Sequence, residues 1–310
     1  MKASDTYIIR GGVEGRKRLE VLARVLWPTT SRLLLEAGLA PGMTCLDLGC
    51  GGGDVTLQLA TMVGPTGQAI GVDMDEVKLG LARQNAVALG LANVQFRQLN
   101  VQNWVEDSQY DFMYARFLLT HLTDPPGMLR RMLRAVRPGG VAVVEDIDFS
   151  GYFCYPPCAG FDSYVRLYRA AAAQRGADAD IGPKLHSMFL DAGWRNPRLN
   201  VIQPTFTAGE GKELALLTLI NIADSVVAGK LATEAELQSA VDNLKEFTDD
   251  PRTLIGFPRI FQLWARRERL RRLISYYFFL VSSAVQMELM HSLGYLYSMI
   301  RAGFRRQRVQ

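Results

Sequence analysis

Five side chains and a cluster of glycines carry the chemistry open to this chain. Asp47, Asp73, Asn100, Arg116 and Asp146 each lie at or just beyond the end of a short apolar run, and four glycines crowd together at Gly49, Gly51, Gly52 and Gly53. A loop so poor in side chains lets a ligand lie against backbone N–H groups at a helix N-terminus. The dinucleotide fingerprint G-x-G-x-x-G needs a third glycine at position 54, which is Asp54. The alternative, acidic-x-G-x-G-x-G, is met in full by Asp47, Gly49, Gly51 and Gly53. Asp47 puts a carboxylate where the apolar run ends, which repels a pyrophosphate but suits an ammonium or a sulfonium. Asp73, 24 residues past Gly49, is spaced to accept both hydroxyls of a ribose.

The elements that must position these groups can be read in order. Thr44 to Leu48 is a buried strand, and Asp54 caps the amphipathic stretch Val55 to Val63. After the turn at 64–67, Gln68 to Val72 is a second strand, and Asp75 caps a helix that Gly90 ends. Val94 to Leu99 and Tyr110 to Ala115 are strands three and four. Asp124 with Pro125 opens a helix ending near Arg137, and Pro138 to Gly140 turns the chain into strand five, Val141 to Ile147. Strand and helix alternate with short connections, so the fold class is α/β, a doubly wound and mostly parallel sheet with helices on both faces. Ligands in such sheets sit beyond the carboxyl ends of the strands, where all five polar residues fall on one rim. Gly182 to Ala192 is a helix, and Asn200 to Phe206 and Phe257 to Ala265 are strands six and seven.

The motifs across residues 40–148 resemble those of the class I S-adenosylmethionine-dependent methyltransferases. They are the Gly49 loop, Asp73, Asn100, the strand-four end at Arg116 and the Arg-Pro-Gly-Gly run at 137–140. The spacing is most similar to the small-molecule branch, including quinone-biosynthesis C-methyltransferases, where a His-Leu-x-Asp-Pro run like His121 to Pro125 is common. The resemblance implies a Rossmann-like, seven-stranded methyltransferase fold and S-adenosylmethionine as cofactor. It further implies methyl transfer to a small organic acceptor by in-line displacement. The cofactor residues it implies are Asp47, Gly49, Cys50, Gly51, Gly53, Asp73, Met74, Asn100, Val101 and Arg116. Asn100 departs from the acidic residue usual there, so its contact with an adenine amine lacks charge assistance. His121, Arg116 and Asp146 fall near the transferred methyl. His121 reads either as a general base or as a histidine ordering its loop. Arg116 suits the methionine carboxylate or an anionic oxygen on the acceptor. Tyr152, Phe153, Tyr155 and Phe161 suggest a flat apolar acceptor, or simply core. Asp124-Pro-Pro-Gly127 imitates an amino-methyltransferase motif but lies too late and ends in glycine, so it is a helix start.

The regions outside the motifs divide the chain. Residues 1–37 form an N-terminal helical flap, with Pro28 breaking the helix and Tyr7 to Val13 either covering the cofactor or fraying. Residues 38–267 are the methyltransferase domain, with lid insertions at 152–180 and 209–254 that read alternatively as packing away from the site. Residues 268–310 are an apolar, Arg-flanked helical tail. The net charge of +4 is concentrated there, since residues 266–310 carry +7 and the first 265 carry −3. A globule of that sign has no general attraction for nucleic acid. The tail segment 273–300 is long enough to cross a bilayer, but Glu288 opposes insertion. Docking on the body or a second copy, as in a homodimer, is preferred over membrane contact. Four cysteines at this length are reduced thiols of a cytoplasmic protein, and Cys154-x₃-Cys158 without a second pair is no zinc site. Two other readings compete: an NAD-type oxidoreductase, and a catalytically silent adenosyl-binding assembly protein.

Overall fold

A computed structural model describes residues 12–269. The chain divides into two units, Met1–Arg267 and Glu268–Gln310. The flap reading of the first residues and all three readings of the tail at 273–300 lie outside the described residues.

Helix α1 (Gly12–Ala37) opens the first unit. β1 (Thr44–Leu48), α2 (Asp54–Val63), β2 (Gln68–Asp73), α3 (Glu76–Ala88) and β3 (Val94–Gln98) follow. Next come β4 (Tyr110–Arg116), α4 (Pro125–Ala135) and β5 (Val136–Asp148). The second half holds β6 (Phe153–Tyr155), α5 (Ala159–Gln174), α6 (Leu185–Asp191), β7 (Arg198–Ile202) and β8 (Thr205–Phe206). α7 (Glu210–Ala228), α8 (Glu234–Asp249), β9 (Leu254–Gly256) and β10 (Arg259–Arg266) complete it.

Seven strands form one sheet in the order β3-β2-β1-β4-β5-β10-β7. All pairs are parallel except those made by β10, which runs antiparallel to β5 and β7. Alternation along the strands splits the core between two faces. Leu46, Leu48, Met113 and Val144 pack with Met128 of α4 and Phe189 of α6. Cys45, Phe112, Tyr114 and Val143 pack with Leu34 of α1 and Leu59 of α2. The two inserted stretches build a third cluster, in which α5, α7 and α8 bury Tyr164, Tyr168, Leu219 and Leu244 against Leu22 and Leu26 of α1. A small antiparallel sheet, β6-β9-β8, closes its end.

The capping predicted at Asp75 and Asp124 is present: Asp75 accepts from Val77 and Lys78 N–H, and Asp124 from Gly127 N–H at 2.8 Å. Three expectations are corrected. Pro28 does not end α1, because Leu22 and Leu26 before it and Leu33 and Leu34 after it are all buried on the body. Packing on both sides outweighs the lost hydrogen bond, about 3 kcal/mol. The run 200–206 is not one strand, since Pro204 separates β7 from β8 and sends each to a different sheet. The turn residues 138–140 lie inside β5 as a register shift against β4 rather than before it.

Candidate active site

Between β1 and α2 the chain runs through Gly49 and Gly51 at positive φ, +68° and +54°. A Cβ on Gly49 would come within 2.9 Å of Leu118. Cys50 donates its N–H to Val72 O, while its thiol turns down against Gly71 and is pushed well above its ordinary pKa by burial. The expected cap at Asp54 is corrected, because Gly53 is the cap and Asp54 is the first helical residue. Its carboxylate is gripped on both oxygens by Arg16 of α1, which is 7% exposed. The guanidinium crosses directly over Gly52, where a Cβ would lie 1.7 Å from Nη1. Gly52, outside the acidic-x-G-x-G-x-G pattern, is therefore the residue that lets α1 clamp the loop. Gly52→Ala is expected to displace Arg16 and to cost about 1–3 kcal/mol in urea unfolding. Unchanged stability would show that the clamp contributes nothing.

The rim forms as the strand register demands. Asp73 at the end of β2 accepts Gly51 N–H on Oδ2 (2.8 Å) and Asp75 N–H on Oδ1 (2.9 Å). It thus ties the glycine loop to α3 while lining the cavity. Asn100, past β3, accepts Gln102 N–H (3.0 Å) and starts a helical turn that brings Val101 to the wall. Asp47 is 3% exposed and accepts from Thr56 Oγ1 at 2.6 Å. Burial pushes its carboxyl up to about 7, against the opposing pull of Thr56 and of Arg116. Arg116 at the end of β4 belongs to a buried polar group that the sequence did not reveal. Glu145 of β5, 1% exposed, accepts from Thr30 Oγ1 (2.9 Å), Gln262 Nε2 (2.7 Å) and Tyr114 OH. Burial opposes the Arg116 charge, but Tyr114, Glu145 and Asp47 more than offset it, so its pKa is raised.

Asp47, Gly49, Cys50, Gly51, Asp73, Met74, Asn100, Val101, Arg116 and His121 all line one cavity of about 910 Å³. Two expected site residues do not. Gly53 faces the ring of Phe96, 2.6 Å from where its Cβ would be, and shapes the helix start from beneath. Asp146 is fully buried behind the wall, where it accepts from Thr120 N–H (3.1 Å) and Ile147 N–H (2.9 Å) and fixes the turn carrying His121. Burial pushes its carboxyl up to about 7. His121 is pushed down to about 3 by burial and by the Arg18 and Lys78 charges, so it is a neutral imidazole across the physiological range.

The same cavity holds an aromatic chamber that sequence reading only partly found. Tyr152 lines it, but Phe153 and Tyr155 are exposed and Phe161 lies behind Tyr152. The chamber is walled by Phe149, Tyr164, Tyr168 and Phe257, with Phe149 stacked on Tyr168 at 4.0 Å. Arg18 and Leu22 of α1 and Leu214, Thr218 and Asn221 of α7 complete it. Both inserted stretches thus contribute wall residues. The signal for Arg16 and Arg18 was available: they fall among the apolar positions Leu19 and Leu22 of α1 rather than on a solvated face.

The methyltransferase domain family matches residues 39–174. Over 195 residues the chain is 31% identical to the ubiquinone/menaquinone biosynthesis C-methyltransferase UbiE of Ectopseudomonas mendocina, covering 56% of this chain and 74% of that one. The chain belongs to the S-adenosylmethionine-dependent methyltransferases. The 2-phytyl-1,4-naphtoquinone methyltransferase of Trichormus variabilis is 38% identical over 118 residues, 35% of this chain and 48% of that protein. The chain therefore spans between 48% and 74% of the length of these two relatives. In fold it matches the Haemonchus contortus phosphoethanolamine N-methyltransferase 2, solved with S-adenosylhomocysteine. The TM-score is 0.50 at 16% identity, over 81% of this chain and 57% of that one.

The methyltransferase's own residues fit its cofactor. The glycine loop leaves backbone exposed at the start of α2. Asp73 keeps acceptor capacity beyond its two backbone bonds, since a carboxylate offers about four lone-pair sites. Asp47, its carboxyl pushed up to about 7, supplies negative charge beside them as the pH rises through that value. Among the described residues no His, Cys, Asp and Glu group is placed to hold a metal, and no helix is long and apolar enough to cross a membrane.

Proposed function

We propose that this methyltransferase methylates a flat, largely apolar small molecule in the aromatic chamber. The observation that carries the reading is the continuity of the cavity from the glycine loop to the rings of Phe149, Tyr152, Tyr164 and Tyr168. It sets a cofactor site and an apolar acceptor site end to end. The cofactor, when bound, supplies a methyl already activated by a positively charged sulfur. The protein's task is then alignment, which can lower a barrier by about 7–11 kcal/mol. Asp73 holds the ribose, Asp47 faces the ammonium, and Asn100 and Val101 border the adenine. Arg116 attracts the carboxylate end, and α1, clamped through Arg16, excludes water from above. His121 stands where the two halves meet and serves as a neutral hydrogen-bonding group, because a base with a pKa of about 3 takes up protons poorly. The quinone relatives support an aromatic or quinonoid acceptor.

The reading is tested by incubating the full chain with methyl-labelled S-adenosylmethionine and a cell extract. The label should move to a solvent-extractable small molecule; transfer to protein or nucleic acid, or no transfer, overturns it. The Asp47 role has its own pH signature. Protonating that carboxyl removes its attraction for the ammonium, so affinity must fall as the pH drops below about 7. Calorimetry with S-adenosylhomocysteine should show about tenfold weaker binding at about pH 6 than at about pH 8. Asp47→Asn should flatten that dependence, and a dependence surviving it would remove the assignment.

A further inference from the structure

Besides Arg175, which donates to Ser225 Oγ at 3.2 Å with Asp224 also on the wall, the cavity outside the cofactor half carries the cation of Arg18. It projects inward from α1 and lines the cavity. Its Nε donates to Thr218 Oγ1 at 2.9 Å, joining α1 to α7 across 200 positions of sequence. Its charge is felt at His121 on one side and at Tyr152 and Tyr164 on the other, in each case after burial. It therefore stands where the cofactor half and the aromatic chamber meet.

Neighbouring arginines of the same helix are neutralised: Arg16 pairs with Asp54 and Glu20, and Arg24 with Glu210. Among the described residues Arg18 pairs with no carboxylate, and its hydrogen bond goes to a neutral hydroxyl. Burial raises the pKa of Tyr152 and Tyr164, so both rings stay neutral and supply no counter-charge. A guanidinium carries five N–H donors in a planar fork, and Thr218 takes one. The remaining fork matches a carboxylate or another anionic oxygen.

We infer that the acceptor enters as an organic anion, a flat ring carrying a carboxylate or an ionised hydroxyl, and that Arg18 receives that oxygen. This rests on the aromatic chamber being the acceptor site. Arg18 then sets which edge of the ring faces the cofactor, making it the specificity-determining residue of the chamber.

The test uses the full chain loaded with S-adenosylhomocysteine and titrated by calorimetry with two matched pairs of probes. In the first, 1-naphthoate and 1-naphthamide share a shape and differ in charge; in the second, dinitrophenolate is set against dinitrobenzene for the ionised hydroxyl. In at least one pair the anion should bind about tenfold or more tightly than its neutral partner. Arg18→Gln should bring that pair within about twofold while S-adenosylhomocysteine affinity stays unchanged. Equal affinities in both pairs overturn the inference, as does failure of all four probes to bind or an anion preference that survives in Arg18→Gln. Should that variant not fold, Arg18→Lys takes its place: loss of the fork should weaken the preferred anion about threefold, and unchanged binding overturns the inference. Failure of the unaltered chain to bind S-adenosylhomocysteine would count instead against the proposed function.

Discussion

Asp73→Ala is expected to weaken S-adenosylhomocysteine binding by about a hundredfold or more, with the protein still folded. Two effects combine. In the proposed ribose role the carboxylate accepts from two hydroxyls, and hydrogen bonds to a charged group contribute about 1.5–3 kcal/mol each. Its loss would also release Gly51 N–H and Asp75 N–H, at 2.8 and 2.9 Å, loosening the loop that the rest of the cofactor must lie against. Asp73→Glu separates the two, because it keeps the charge but moves it by one methylene. Near-normal affinity in Asp73→Glu would mean that charge, rather than placement, is what binds. Calorimetry reads the affinity and circular dichroism the fold. Affinity in Asp73→Ala equal to that of the parent would remove Asp73 from the ribose.

The largest effect on stability is expected at Glu145. This carboxylate takes hydrogen bonds from Thr30, Gln262 and Tyr114 and lies in the field of Arg116, all under the rim. Removing it in Glu145→Ala strands those donors and leaves the Arg116 charge with the weaker fields of Asp47 and Asp54. Breaking a buried charge group by deleting one partner costs about 3–5 kcal/mol. Glu145→Gln keeps the shape and one acceptor, so it should cost less, about 1–3 kcal/mol. Urea unfolding followed by fluorescence measures both. If Glu145→Ala cost less than Glu145→Gln, the network would be a liability that the fold tolerates rather than a support for Arg116.

Local signals were legible in the chain. The glycine loop, the carboxylates at strand ends, and the caps at Asp75 and Asp124 depend on residues within a few positions of each other, so their spacing fixes their geometry. The seven-stranded sheet and the rim from Asp47 to Arg116 follow from that alternation. What spacing cannot carry is the meeting of distant segments. Pro28 stays helical because its flanks are buried, and Asp54 is clamped because Arg16 reaches it from another helix. Asp146 leaves the site because the backbone N–H groups of Thr120, on the turn after β4, and of Ile147, the next residue of β5, claim it. The aromatic chamber was least legible, since it is assembled from α1, α5 and α7, whose contacts, such as Arg18 with Thr218, span most of the chain. A charge or a ring is a surface feature or a wall according to what packs over it. That is a property of the summed packing of all the elements and of no single stretch of residues.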